Sequence, residues 1–187
     1  MIIGISGSFA SGQDTLAHYL RDKYGFVWYS TSDMVRKFSM DRHGSIERPM
    51  LFETATYLRK TRGGGVLVEL GYEEYKLLDD QPGLVISGIR SIGEMEEVLK
   101  LKGKMIYTDA DLELRYERMV MRQRDEEAKI SREEFEKREK AEWHAGNDPS
   151  DFNKRDIRKY CEEQDMIVFN QADLASFFHD AEQKLGL

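Results

Sequence analysis

Gly7 and Gly12 bracket the run Gly7-Ser8-Phe9-Ala10-Ser11-Gly12-Gln13-Asp14-Thr15, in which three of the four intervening residues are small. Small residues let backbone N–H groups converge on one point, and a helix starting where the run ends adds its positive pole. The chemistry this suits is the holding of phosphate oxygens. Gln13 brings a carboxamide that donates hydrogen bonds without charge. Asp14 brings a carboxylate suited to Mg²⁺, and the Thr15 hydroxyl is available to a phosphate oxygen. A second set lies at Thr31-Ser32-Asp33-Met34-Val35-Arg36, with Asp33 and Arg36 one helical turn apart. A third, Ser87-Gly88-Ile89-Arg90-Ser91, ends in a guanidinium whose fork matches two phosphate oxygens. A fourth places Arg118 and Arg122 on one helix face, with Arg115 near it and Arg124 just beyond. Glu113 and Glu117 offer these arginines partners, which would make that face an ordinary solvated one.

These groups need elements to position them. Ile2–Ser6 reads as a buried strand and 13–24 as a helix closed by Gly25. Phe26–Ser30, Leu84–Ser87, Lys104–Tyr107 and Met166–Phe169 read as four more strands. The segment 32–80 is mostly helical, with breaks near Gly44 and at Gly63-Gly64-Gly65. Helices follow at 92–102, from Leu112 to about His144, at 154–164 and at 172–185, and Gly146-Asn147-Asp148-Pro149-Ser150 ends the third-last of these. Strand and helix in alternation imply parallel pairing with right-handed crossovers, and apolar strands without alternation imply that both sheet faces are covered. The expected fold is a three-layer α/β/α sandwich on a five-stranded parallel sheet, one domain over 1–187. In such sheets ligands sit beyond the carboxyl ends of the strands, which is where the sets above fall; Asp109 also follows a strand there. The charged segment 122–144 has few large apolar residues and is expected to project from the core.

The first run has the G-x-x-x-x-G spacing of a Walker A loop in its strand–loop–helix setting, with Gln13 where that pattern has Lys and Asp14 where it has Ser or Thr. The second resembles the Ser-Thr-Gly-Asp-Met-Leu-Arg acceptor segment of adenylate kinases, and the third their Gly-Phe-Pro-Arg segment. The chain as a whole resembles the P-loop nucleoside monophosphate kinase superfamily. Within it, the Gly-x-Asp-Thr ending of the loop and the helix-rich segment 45–80 resemble more closely the deoxynucleoside monophosphate kinases and dephospho-coenzyme A kinases.

That resemblance implies a P-loop sandwich with a helical lid at 122–147 and an acceptor-binding helical region at 31–80. It implies ATP and Mg²⁺ as cofactors and phosphoryl transfer to a nucleotide-like monophosphate. Donor contacts would come from Gly7, Ser8, Ala10, Ser11, Gly12, Gln13, Asp14 and Thr15, with Asn170 near the base; Asn170 also suits a helix N-cap. Thr31, Arg36, Arg59 and Arg90 would hold the acceptor, and Asp14 and Asp33 the metal. Asp33 is equally suited to a helix N-terminus. Arg90, Arg118, Arg122 and Gln13 would act on the migrating group. Arg48, Phe52, Tyr57, Arg59 and Arg62 are expected around the acceptor, or in the core. Trp143 and His144 would steady the lid or touch ligand, with packing the expected role of Trp143.

Composition closes off several classes. The 187 residues carry a net charge of -7, which repels a nucleic-acid backbone. No stretch approaches a membrane span or a signal peptide, so a cytoplasmic protein is expected, monomer or homodimer. Cys161 is the one cysteine; it has no internal disulfide partner and no metal-ligand spacing around it, and reads as a half-buried helix residue. The lid lacks a Cys or His set for zinc. Two rivals to a kinase stand on the same residues: a nucleotide-binding regulator whose Gln13 slows transfer, and a simple NTPase, against which Arg36 and Arg90 argue.

Overall fold

In a computed structural model, residues 1–122 and 130–187 are described, with only the backbone of Arg48 and Arg122. Among them are five strands, β1 (Ile2–Gly7), β2 (Val27–Ser30), β3 (Leu84–Ile89), β4 (Lys104–Asp109) and β5 (Ile167–Phe169). Nine helices accompany them: α1 (Gln13–Tyr24), α2 (Thr31–His43), α3 (Arg48–Arg62), α4 (Val66–Tyr75), α5 (Ile92–Lys100), α6 (Leu112–Arg122), α7 (Arg132–Trp143), α8 (Lys154–Glu163) and α9 (Leu174–Leu185). All strand pairs are parallel, in the order β2-β3-β1-β4-β5.

Strand side chains alternate between two apolar layers, which makes the three-layer α/β/α sandwich. On one face Ile3, Ile5, Val85, Ile106 and Val168 pack against Leu16 and Leu20 of α1 and Phe177 and Ala181 of α9. On the other, Leu84, Ile86, Met105 and Tyr107 meet Val68 of α4, Val98 of α5 and Ile157 and Cys161 of α8. Cys161 is fully buried rather than half-buried, and burial pushes its thiol up to about 12. A smaller cluster joins Met34 and Val35 of α2, Leu58 of α3 and Leu67 and Leu70 of α4 beside β2. The expected breaks at Gly44 and Gly63 are helix C-caps at positive φ, 65° and 98°, a conformation glycine adopts without a Cβ penalty.

The strand order decides where a site can form. The chain leaves β1 toward β2 and leaves β4 toward β5, so the loops after these neighbours diverge and open a crevice at their carboxyl ends. A bulge at Gly88 (φ 83°) sets the end of β3: Ile5 pairs with Ser87 but Ser6 with Ile89. Bulges re-aim side chains at strand ends.

The charged arm differs from expectation. Ser131 caps α7 by accepting from the Glu134 N–H, so a new helix begins there. α7 does not project: Phe135 is fully buried, its ring 5.2 Å from that of Phe9 and 5.6 Å from that of Tyr116. Met119 and Ile130 complete this cluster. Phe135 is the apolar anchor of an otherwise polar helix.

Candidate functional site

The loop after β1 is built so that its backbone faces the crevice. A Cβ on Gly7 would come within 2.6 Å of the Thr108 carbonyl and 2.7 Å of the Ser11 hydroxyl. Gly12, the N-cap of α1, is left-handed at φ 106°, and no side chain caps the helix. The first-turn N–H groups of α1 therefore point outward without an internal acceptor. Ala10 is also left-handed, at φ 61°. The walls of the turn are hydroxyls engaged with β4: Ser8 Oγ donates to Asp109 at 2.7 Å, and the Ser11 and Thr108 hydroxyls lie 2.7 Å apart.

Gln13 lies across the turn. Its Nε2 donates to the Gly7 carbonyl at 3.1 Å and approaches that of Ser8 at 3.5 Å. Asp14 is half-buried and accepts from Ser87 Oγ at 3.1 Å, and Ser87 in turn accepts from the Trp28 indole at 3.0 Å. Thr15 is exposed on the first turn.

Asn170 braces the loop from the far side. It is 3% exposed; its Nδ2 donates to the Ser11 carbonyl at 3.0 Å, and its Oδ1 accepts from Arg118 Nη2 at 3.1 Å. It does not cap α9; Asp173 does, accepting from the Ser176 N–H. Nη1 of Arg118 is buried without a hydrogen-bond partner among the described residues, and burial lowers this guanidinium's pKa. Arg118 is thus tied to the loop by a single intermediary. Arg115 lies deeper, 7% exposed, donating to the carbonyls of Ala110 and Phe9 and gripping Glu139 of α7. The alternative, local pairing of these arginines with Glu113 and Glu117, does not form for Arg115, because α7 supplies the carboxylate and Glu113 takes Arg132 instead. The side chain of Arg122, and all of Arg124, lie outside the described residues.

Beyond β3, Arg90 reaches Glu142 of α7 at 3.4 Å, and Lys154 of α8 meets the same carboxylate at 2.6 Å. Arg59 is held by the fully buried Glu94 at 2.9 Å. Glu94 belongs to a capping box with Ser91 at the start of α5 and also accepts the Arg90 N–H. Thr31 is buried, its hydroxyl donating to the Gly88 carbonyl at 2.8 Å. Asp33 and Arg36 are exposed and pair with each other at 2.8 Å.

The residues of α3 expected around one acceptor are spread apart. Phe52 is 72% exposed, Tyr57 stacks under Arg42, and Arg62 faces Glu69 and Glu73. Of these residues only Arg59 turns toward the end of β3, and the side chain of Arg48 lies outside the described residues. Of the described cavities, one of about 450 Å³ opens beside the loop, lined by Ser8, Asp109, Arg115, Glu139, Trp143 and Arg158 among others. Trp143 is exposed at its rim rather than packed inside. His144 sits near Asn147, at 3.2 Å.

Glu139, Glu142, Lys154 and Arg158 carry no motif, and their partners at the site lie 12–52 positions away. Glu94 alone left a signal, the Ser-x-x-Glu pattern of a capping box.

Over 186 residues the chain is 30% identical to UPF0200 proteins of Saccharolobus islandicus and Saccharolobus solfataricus, covering 90% of this chain and 95% of theirs. The chain belongs to the UPF0200 family. A UPF0200/UPF0201 protein of Archaeoglobus fulgidus is 28% identical over 188 residues, which is 98% of this chain and 54% of that one. Among solved structures, TT1252 from Thermus thermophilus superposes with a TM-score of 0.64 at 21% identity, covering 98% of this chain and 94% of that one. An uncharacterized protein from Eubacterium ventriosum superposes at 0.52 with 15% identity, covering 100% and 98%. No family model matches. The shared feature with both structures is the fold. No helix among the described residues of this UPF0200 chain is long and apolar enough to cross a membrane.

Proposed function

We propose that this UPF0200 protein binds the polyphosphate of a nucleotide on loop 7–15 and moves its terminal phosphoryl group to a monophosphate acceptor, as a P-loop kinase. The observation that carries the reading is the uncapped N-terminus of α1, reached by a turn whose two glycines leave no room for a side chain. Such a terminus is an anion site, and its place at the crevice between β1 and β4 is where open sheets bind ligands.

Phosphoryl transfer needs positioning and charge neutralisation more than covalent chemistry. Gly7, Ser8, Ala10, Ser11 and Gly12 would present backbone N–H groups to the donor. The unpartnered Nη1 of Arg118 is suited to charge developing on the migrating group, and Arg122 lies one turn further along α6. Arg90 and Arg59 stand at the end of β3, where the acceptor phosphate would sit, with Thr31 and Arg36 on the adjoining helix α2.

The donor set fits Mg²⁺ in part. Among the described residues no group of three or more acidic, His or Cys side chains converges, but Mg²⁺ usually takes one or two carboxylates with the rest from phosphate and water. Asp14, beside the loop, fits that role; Asp33 is committed to Arg36. When bound, the ion would neutralise negative charge on the donor's phosphates.

The test is calorimetric titration of ATP with and without Mg²⁺, followed by ADP formation against a panel of nucleoside monophosphates and dephospho-coenzyme A. Binding with turnover on one acceptor supports the kinase. No heat and no ADP in any combination defeats it. Gln13 favours a second reading, in which the protein binds nucleotide as a regulator: its neutral carboxamide is held by loop carbonyls and supplies no charge. Binding without turnover on any acceptor would select that reading.

A further inference from the structure

Lys154 is 4% exposed, yet it carries an ammonium group. Its Nζ lies 2.6 Å from Oε2 of Glu142, while Oε1 of the same carboxylate lies 3.4 Å from Nη1 of Arg90. One carboxylate thus divides its two oxygens between two cations. Burial pushes the Lys154 ammonium below its ordinary pKa, Glu142 opposes the fall, and Arg90 adds to it. Arg59 adds no unmatched charge, because Glu94 neutralises it. Both guanidiniums border the Phe152 ring, Arg59 at 5.5 Å and Arg90 at 5.9 Å from its centroid, which gives the cluster a fixed apolar wall. Among the described residues, Glu142 is the only carboxylate in an ion pair with either Lys154 or Arg90.

Burying an ammonium costs several kcal/mol before any partner is counted. A carboxylate shared with Arg90, with Glu139 acting only through space, is a poor return, whereas a phosphate monoester brings two negative charges and three acceptor oxygens. Its oxygens would face the same two donors that the carboxylate oxygens now face. We propose that Arg90 and Lys154 form a subsite for a dianionic phosphate monoester, and that the Glu142 carboxylate is a built-in stand-in which that phosphate displaces. The inference rests on the phosphotransfer reading above and deepens it: Lys154 becomes an acceptor-phosphate ligand, and Glu142 a competitor that α7 holds in place.

Displacement has a local consequence. Glu142 precedes Trp143, whose indole lines the cavity beside the loop, so a ligand that pushes Glu142 aside changes the surroundings of that indole.

The experiment titrates the full-length protein with inorganic phosphate at constant ionic strength, by calorimetry and by tryptophan fluorescence. The variants are Glu142→Gln and Lys154→Met. Removing the competing charge in Glu142→Gln should tighten phosphate by about tenfold or more, the value of one charge-assisted bond. Lys154→Met should weaken it by a similar factor, and should cancel the gain when combined with Glu142→Gln. An unchanged or weaker affinity in Glu142→Gln overturns the proposal. So does a folded Lys154→Met that binds phosphate like the parent, since a merely structural ion pair would leave phosphate binding untouched. Should Lys154→Met fail to fold, the Glu142→Gln titration decides alone. An ATP·Mg²⁺ titration of the same samples separates the two claims. ATP binding with no Glu142→Gln effect removes only the subsite. A Glu142→Gln gain without ATP binding leaves the subsite and removes the phosphotransfer reading.

Discussion

Gly12 lies directly against Asn170: a Cβ on Gly12 would overlap the carboxamide nitrogen that donates to the Ser11 carbonyl. The residue is therefore constrained twice, by its positive φ and by its neighbour. Gly12→Ala should lose about 1–3 kcal/mol of stability through strain at a left-handed position. It should also weaken ATP·Mg²⁺ binding by more than tenfold, because the displaced turn no longer aims its N–H groups at one point. Urea unfolding and calorimetry read the two effects. A variant with reduced stability but parental ATP affinity would show that the turn does not hold the ligand.

Asn170 also fixes Arg118, so its removal acts on both. Asn170→Ala leaves the Ser11 carbonyl and one guanidinium nitrogen without their partner in a buried place, which costs about 1–3 kcal/mol. If Arg118 neutralises the migrating group, turnover should fall by about 10²–10³, the usual loss for one preorganised donor, with a smaller change in ATP affinity. Arg118→Ala should give a similar turnover loss, and the double variant little more, since both act through one guanidinium. Steady-state kinetics on any acceptor that gives ADP will check this; additive losses would separate the two residues.

Gln13 is the test of whether the loop is adapted or degraded. Its carboxamide bonds to loop carbonyls, and a lysine there would bring the charge that a Walker A loop has. Gln13→Lys should raise ATP affinity by about tenfold, the difference between a neutral and a charge-assisted bond. Turnover that rises with it by orders of magnitude would mark the natural protein as catalytically degenerate. Turnover that falls would mean that Gln13 serves an unusual donor or acceptor.

The framework was legible where short-range rules decide it. Apolar strands, glycine helix ends and the order of elements gave the sandwich, because each depends on neighbours a few positions apart. α7 was not legible as a packed helix, since Phe135 is its one fully buried residue and its other anchors, Glu139 and Glu142, read as solvated charges. The site was legible in its glycine turn and its arginines, whose spacing is local. Its counter-charges were not: Glu139 meets Arg115, and Glu142 meets Arg90 and Lys154, across 12 to 52 positions with no local pattern to announce them. Asn170 shows the same limit. Its type suits a helix cap, but tertiary packing turns it toward Ser11 and Arg118 and leaves the cap to Asp173.

Far from the crevice, Glu182 of α9 ties the last helix to α1, which carries the loop. Its Oε1 accepts from Lys23 at 2.5 Å and from the Tyr19 and Tyr24 hydroxyls at 2.6 Å each. The bonds from Lys23, Tyr19 and Tyr24 pull its carboxyl down to about 2. A carboxyl depressed in the folded state stabilises fully above its unfolded pKa, near 4.5, and the contribution fades as pH falls toward 2. At pH 7 Glu182→Gln should therefore melt below the parent, and the gap in Tm should narrow steadily between pH 4.5 and 2.5. Scanning fluorimetry across that range measures it. A constant gap would mean that the cluster acts through packing of Tyr19 on Phe178, whose rings stack at 3.9 Å, and not through the charge on Glu182.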